Sequence, residues 1–160
     1  MAPTPRMVLD TNVCLDLFVF GDARCAVLHD ALRTGAVDVV TDAACRDEWI
    51  AVLAYPRLAL DASRRDAAVA AFDAQLHLLP EVERKPASAT SKLPCCADPD
   101  DQKFLELAQA CGAQWLLSRD NALLKLARRT RRDHGFDIAT PQEWSRVYAG
   151  LAGASSANPV

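Results

Sequence analysis

Near its N-terminus the chain reads Val8-Leu9-Asp10-Thr11-Asn12-Val13: an apolar run halts on a carboxylate and two small polar residues. Cys14-Leu15-Asp16-Leu17-Phe18 then continues with helix-like spacing. A strand feeding a helix through Asp-Thr-Asn sets Asp10 at the carboxyl end of that strand, the rim where open α/β sheets bind ligands. Asp, Thr and Asn are also good helix N-caps. Capping needs one such residue, not three in succession, so the segment leaves both readings open and later residues must decide between them.

The rest of the chain repeats the strand-then-helix rhythm. An apolar stripe of Ala26, Val27, Ala31 and Leu32 predicts a helix over 22–34, ended by Gly35. Val37-Asp38-Val39-Val40 is a β-branched run and predicts the second strand. A helix from Thr41 to Ala54 is stopped by Tyr55-Pro56, and another within 58–76 has Asp61 or Ser63 as its cap. A short strand is expected at 76–79. Residues 85–94, rich in Pro, Ser, Ala and Thr, read as a loop.

Asp98-Pro99-Asp100-Asp101 opens a helix to Cys111, closed by Gly112, with Pro99 suited to its first turn. Residues 114–118 form a buried-type strand that ends on Arg119-Asp120-Asn121, followed by a helix to about Arg129. Phe136–Ala139 is expected as the last strand and Pro141–Tyr148 as the last helix. Alternating elements of this kind predict a three-layer α/β/α domain around a mostly parallel sheet, spanning residues 6–148. The small, uncharged residues 149–160 are expected to be a disordered tail.

At 160 residues the chain is long enough for one domain with a full core. No stretch approaches the ~20 uncharged apolar residues of a membrane helix, and the start lacks an apolar signal core, so a cytoplasmic location without membrane association is expected. The six cysteines include no C-x-x-C pair and most have apolar neighbours, which predicts reduced core thiols, with Cys95-Cys96 in a loop. A formal charge of −3 does not advertise a protein that coats nucleic acid, but a cluster of acids at one site also lowers the total.

Four acids recur at element ends or at the margins of apolar faces. Asp10 and Asp120 follow two strands that share a carboxyl rim. Asp101 lies on the face of Leu105 and Ala108, whereas Asp100 turns away from it. On the 41–54 helix, Glu48 falls at the edge of the stripe formed by Cys45, Trp49, Val52 and Leu53, with Asp47 on the solvent side. Gathered in one crevice, each pair at ~4 Å would cost about 4 kcal/mol at an effective dielectric near 20. Such acids must share protons, meet basic residues or bind a cation. Oxygen-only ligands favour Mg²⁺ or Mn²⁺ over zinc.

The opening Val8–Val13 motif, the Asp47-Glu48 helix, the run from Asp98 to Ala108 and Leu117-Ser118-Arg119-Asp120 together resemble PIN-domain nucleases. The likeness is nearest to the branch regarded as toxin components of toxin–antitoxin systems. It runs from about Met7 to Trp144 and includes Thr140-Pro141-Gln142-Glu143-Trp144. The resemblance implies a metal-dependent ribonuclease acting on RNA phosphodiesters, with Asp10, Glu48, Asp101 and Asp120 as catalytic metal ligands. It implies orienting roles for Thr11, Asn12 and Ser118. Asp98, from its place just before the helix, is expected as a cap or a water-mediated metal contact. A protein antitoxin and a homodimer are implied as partners. One departure is Asn121-Ala122 after Asp120, where that branch often carries a second acid.

Two other classes compete. Asp10 after the first strand also suits a haloacid-dehalogenase-type phosphatase, but its acid two residues on is here Asn12. A catalytically silent PIN-like binding module is the other, opposed by the intact acidic quartet. Arg128, Arg129, Arg131 and Arg132 read as a basic helix end more than as a phosphate track. His29, His77 and His134 have no paired spacing, and Trp49 and Trp115 fall on apolar faces.

Overall fold

The computed structural model describes residues 3–86 and 92–156, with side chains to residue 151. Five parallel strands form one sheet in the order β3-β2-β1-β4-β5: β1 (Arg6–Leu9), β2 (Asp38–Thr41), β3 (His77–Leu78), β4 (Trp115–Leu117) and β5 (Asp137–Ala139). The period of two along a strand sends successive side chains to opposite faces. Met7, Leu9, Val39, Leu117 and Ala139 enter one apolar cluster; Val8, Val40, Leu116 and Ile138 enter the other. Both faces are therefore covered, which makes the α/β/α layering of the sequence expectation a consequence of apolar residues at consecutive strand positions.

One layer holds α1 (Thr11–Leu15), α2 (Ala26–Thr34), α3 (Ala43–Leu53), α4 (Ala62–Gln75) and, from the C-terminal end, α8 (Pro141–Ser156). Its centre is the stacked pair Trp49–Phe72, with ring centroids 5.5 Å apart and Phe18 edge-on to both. The other layer is built on α5 (Gln102–Cys111), whose Phe104, Leu105, Leu107 and Ala108 are buried, with α6 (Asn121–Leu124) and α7 (Ala127–His134) beside it. Asp42 and Asp61 cap α3 and α4 through their side chains. Gly35 and Gly112 adopt left-handed φ of 76° and 69° and end α2 and α5.

Several boundaries differ from the sequence reading. Asp22 starts a 3₁₀ turn, Ala23–Cys25, before α2 begins. The helix after Asp120 is two helices, because Leu126 N–H reaches back only three residues to Leu123 and the chain restarts at Ala127. The final helix runs past Tyr148 to Ser156, into the stretch expected as a disordered tail; its Ala and Leu residues are good helix formers and Ala outweighs the two glycines. Residues 157–160, and 87–91 of the expected loop, lie outside the described residues. After α1 the helix widens into a π-helical turn, Asp16–Phe20, before Gly21 closes it at φ 58°. All six cysteines are free, and only Cys95 is exposed.

Candidate metal centre

Chain order runs outward from β1 through β2 to β3, then returns across β1 to β4 and β5. The order reverses between β1 and β4, and a crevice opens at such a switch point outside the strand carboxyl ends. Asp10 follows β1 there, and Ser118, Arg119 and Asp120 follow β4. The two segments are stitched together: Asp10 N–H donates to Leu117 C=O at 3.0 Å, and Ser118 Oγ donates to the Asp10 carboxylate. Ser118 Oγ also accepts from Asp120 N–H at 2.9 Å, so one hydroxyl sets both acids.

Asp10 is 3% exposed, and its other carboxylate oxygen caps α1 by accepting Val13 N–H at 3.0 Å. Capping and facing the crevice are therefore compatible in one residue. Burial pushes its carboxyl up to about 6; the bonds from Ser118 and Val13 and the nearby Arg119 guanidinium oppose that, and Asp120 adds to it.

Asp98, Asp101 and Asp120 converge, with one carboxylate oxygen from each within 4.8 Å of the others. Pro99–Asp101 is a 3₁₀ turn leading into α5, and it turns Asp101 inward while Asp100 stays exposed. Asp98 caps this turn, accepting Asp100 N–H at 3.0 Å, and still offers an oxygen to the group. Asp120 caps α6 through Ala122 N–H at 2.9 Å. The Asp101 carboxyl is driven up to about 7 by burial first, then by its hydrogen bond with Asp120 and by the charges of Asp98, Asp10 and Asp120. A carboxyl at Asp101 that gives up its proton less readily sits against Asp120 and Asp98 with less repulsion, which is one of the ways crowded acids coexist.

Glu48 takes another way. It is half-buried on α3, accepts a hydrogen bond from Thr11 Oγ1, and pairs with Lys103 Nζ at 2.7 Å. Asp47 is exposed. The expected quartet is therefore arranged in three parts: Asp101 and Asp120 with Asp98, Asp10 joined to them through Ser118, and Glu48 on the flank held by Thr11 and Lys103. Asn12 is exposed. The arginine run on α7 is partly spent locally, with Arg131 on Asp137 and Arg132 on Asp133 at 2.9 Å.

Two contributors went unnoticed in the sequence. Asp16 is buried, and the Arg119 guanidinium grips it through Nε at 2.7 Å and Nη2 at 3.3 Å. Its signal was a lone carboxylate inside the apolar run Cys14–Phe18, since an acid almost never occupies such a place unpaired. Lys103 carried a weaker signal, a cation two residues past Asp101 beside the apolar stripe.

Carboxylates clustered at the switch point of a parallel α/β sheet are an arrangement suited to hydrolases that hold divalent metals. The family model described as PIN domain matches residues 6–122. This chain belongs to the PIN-domain family, whose members are generally metal-dependent nucleases. No curated protein matches it. The donor set fits a hard divalent cation, because the three convergent ligands are all carboxylates and none is His or Cys. Among the described residues, no helix is long and apolar enough to cross a membrane.

Proposed function

We propose that this chain is a Mg²⁺- or Mn²⁺-dependent ribonuclease that hydrolyses RNA phosphodiesters and serves as the toxin of a toxin–antitoxin pair. The observation that carries the reading is the meeting of Asp98, Asp101 and Asp120 within 4.8 Å, beside Asp10 at the switch point. Asp101, Asp120 and Asp10 are the residues that would hold the ion, with Asp98 and Glu48 as further ligands. A divalent cation bound there would lower the pKa of water and offset the negative charge that develops on the phosphate oxygens during attack.

The chain's own groups do the rest. Ser118 and Val13 N–H fix Asp10 so that its carboxylate cannot swing away. The raised pKa of Asp101 means that a cation held there would compete with a proton for its carboxylate. Thr11 and Lys103 hold Glu48 at the flank, where its carboxylate can receive a proton or orient a water. The likeness to the toxin branch supports a neighbouring antitoxin that delivers a cation such as Arg to the carboxylates. It also supports a cytoplasmic homodimer; α2 and α8 touch, and Val27, Val147 and Leu151 on them are exposed.

Cleavage of defined RNAs with Mg²⁺, Mn²⁺ or EDTA, with Asp10→Asn as control, tests the reading. Metal-dependent cleavage lost in Asp10→Asn is expected; equal cleavage in EDTA overturns it. Hydrolysis of small phosphomonoesters with RNA left intact points to the phosphatase class. Co-expression with the adjacent open reading frame tests the toxin role, and no growth defect, binding or inhibition removes it.

A further inference from the structure

On the far side of the Arg119–Asp120 turn from the acidic group lies a cavity of about 280 Å³ lined by Asp16, Arg24, Arg119, Thr140, Pro141 and Gln142. We propose that this cavity is a phosphate subsite, which receives a backbone phosphate of the RNA strand flanking the one being cleaved. The inference rests on the ribonuclease reading and adds to it the residues that seat the substrate.

Two guanidiniums face the cavity, and each is braced by a carboxylate in the same manner. Arg119 spends Nε and Nη2 on Asp16, at 2.7 and 3.3 Å. Arg24 spends Nε and Nη2 on Asp22, the latter at 2.6 Å. Among the described residues, Nη1 is in both the nitrogen left to a ligand. A braced guanidinium loses little side-chain entropy when an anion arrives, and its planar fork suits phosphate oxygens. Asp16 is itself locked, buried in the π-helical turn that departs from α1.

A third wall adds donors of the same sign. Thr140 and Pro141 begin α8, whose 16-residue length carries a positive partial charge at this end. Pro141 has no N–H, Glu143 N–H is taken by Thr140 Oγ1 at 3.1 Å, and Trp144 N–H by Thr140 C=O at 3.0 Å. Among the described residues this leaves Gln142 N–H as the first-turn donor for a ligand.

Position selects the ligand. Arg119 lies between Ser118, which holds Asp10, and Asp120, which belongs to the acidic group. An anion in the cavity therefore sits across one turn of chain from the reacting phosphate. The neighbouring groove beyond Arg24 carries Asp22 and Asp30, so the anion-binding wall ends there.

The test measures binding, in EDTA, of a single-stranded RNA of about ten nucleotides to the full chain carrying Asp10→Asn. Adding Arg24→Gln should weaken binding about five- to tenfold and flatten the salt dependence by about one counterion, with Arg24→Lys recovering part of the loss. Gln142→Glu places an acid in the first turn of α8, where it favours the helix, yet it should weaken RNA binding. A purely structural role for this wall predicts unchanged RNA binding. RNA affinity and salt slope unchanged in both variants overturn the subsite. If inorganic phosphate competes at concentrations matching the RNA affinity, the cavity is a small-anion site and the RNA assignment falls. Metal-dependent cleavage by the unmutated chain with no Arg24 effect overturns the subsite alone; absent cleavage with Arg24-dependent binding overturns the nuclease reading alone.

Discussion

Lys103 Nζ lies 2.7 Å from Glu48 Oε1, so an ammonium from α5 neutralises the acid that α3 brings to the crevice flank. Both side chains are about a quarter exposed (23% and 24%), which keeps the pair partly desolvated and its attraction only modestly screened. Lys103→Met should therefore cost about 1 kcal/mol of stability. It should also tighten Mg²⁺ or Mn²⁺ binding severalfold, because one more uncompensated carboxylate then faces the crevice. Metal titration by calorimetry reads the second effect, and weaker binding in the variant would falsify the view of Lys103 as a counter-ion.

The acids at the start of α5 differ in what they face. Asp101→Asn keeps size and polarity but removes charge from the centre of the acidic group. Its cleavage rate should fall about a hundredfold or more, ~3 kcal/mol of barrier, while circular dichroism stays native. Asp98→Asn should weaken metal binding less and lose part of the cap on Asp100 N–H. Asp100→Asn should change little. A dead Asp98→Asn beside a fully active Asp101→Asn would reverse the order of these two residues.

Stability without metal should fall as pH rises from about 4 to about 7. In the folded chain burial holds the carboxyl of Asp10 up at about 6 and that of Asp101 at about 7, against the ordinary 3.8. Between those limits the folded state holds protons that the unfolded state has released, so each step up in pH favours unfolding. For buried Asp10 the loss is at most about 3 kcal/mol; the more exposed Asp101 adds less. Chemical denaturation in EDTA across that range measures it, and rising stability would contradict it.

Metal should reverse that slope. A divalent ion competes with the protons on Asp10 and Asp101, so Mg²⁺ should raise the melting temperature more at pH 8 than at pH 5.5. Thermal scans with Mg²⁺ against EDTA at the two pH values check this. An equal shift at both would place the binding ion away from Asp10 and Asp101.

Asp16→Asn tests the brace behind the β4 turn. The side chain of Asp16 is 4% exposed and that of Arg119 39%, so removing the charge leaves a half-solvated guanidinium against an amide. A loss of about 2 kcal/mol is expected, below the 3–5 kcal/mol typical of a fully buried pair. Metal affinity should fall as well, because Arg119 adjoins Asp120. Wild-type metal affinity in a destabilised Asp16→Asn chain would confine the pair to a structural role.

Much of this protein was decided locally. Strand and helix alternation, Asp42, Asp61 and Asp98 as caps, and Gly35 and Gly112 as helix ends follow from side-chain period and backbone preference over a few residues. The place of Glu48 against Asp47 was legible for the same reason: 100° per residue is a local quantity. The helical count also singled out Asp101 over Asp100, but it is the 3₁₀ turn before α5 that turns Asp101 inward. The sheet order was not local, and the site's connections depend on it. Ser118 reaches Asp10 across 108 residues of chain, Arg119 reaches Asp16 across 103, and Thr11 reaches Glu48 across 37. Periodicity shows which face a residue occupies; it cannot show which other face it meets. Only the return of the chain across β1 to β4 set Asp120 beside Asp101 and Asp98. The same return gave buried Asp16 its cation, while α5 packing beside α3 brought Lys103 to Glu48.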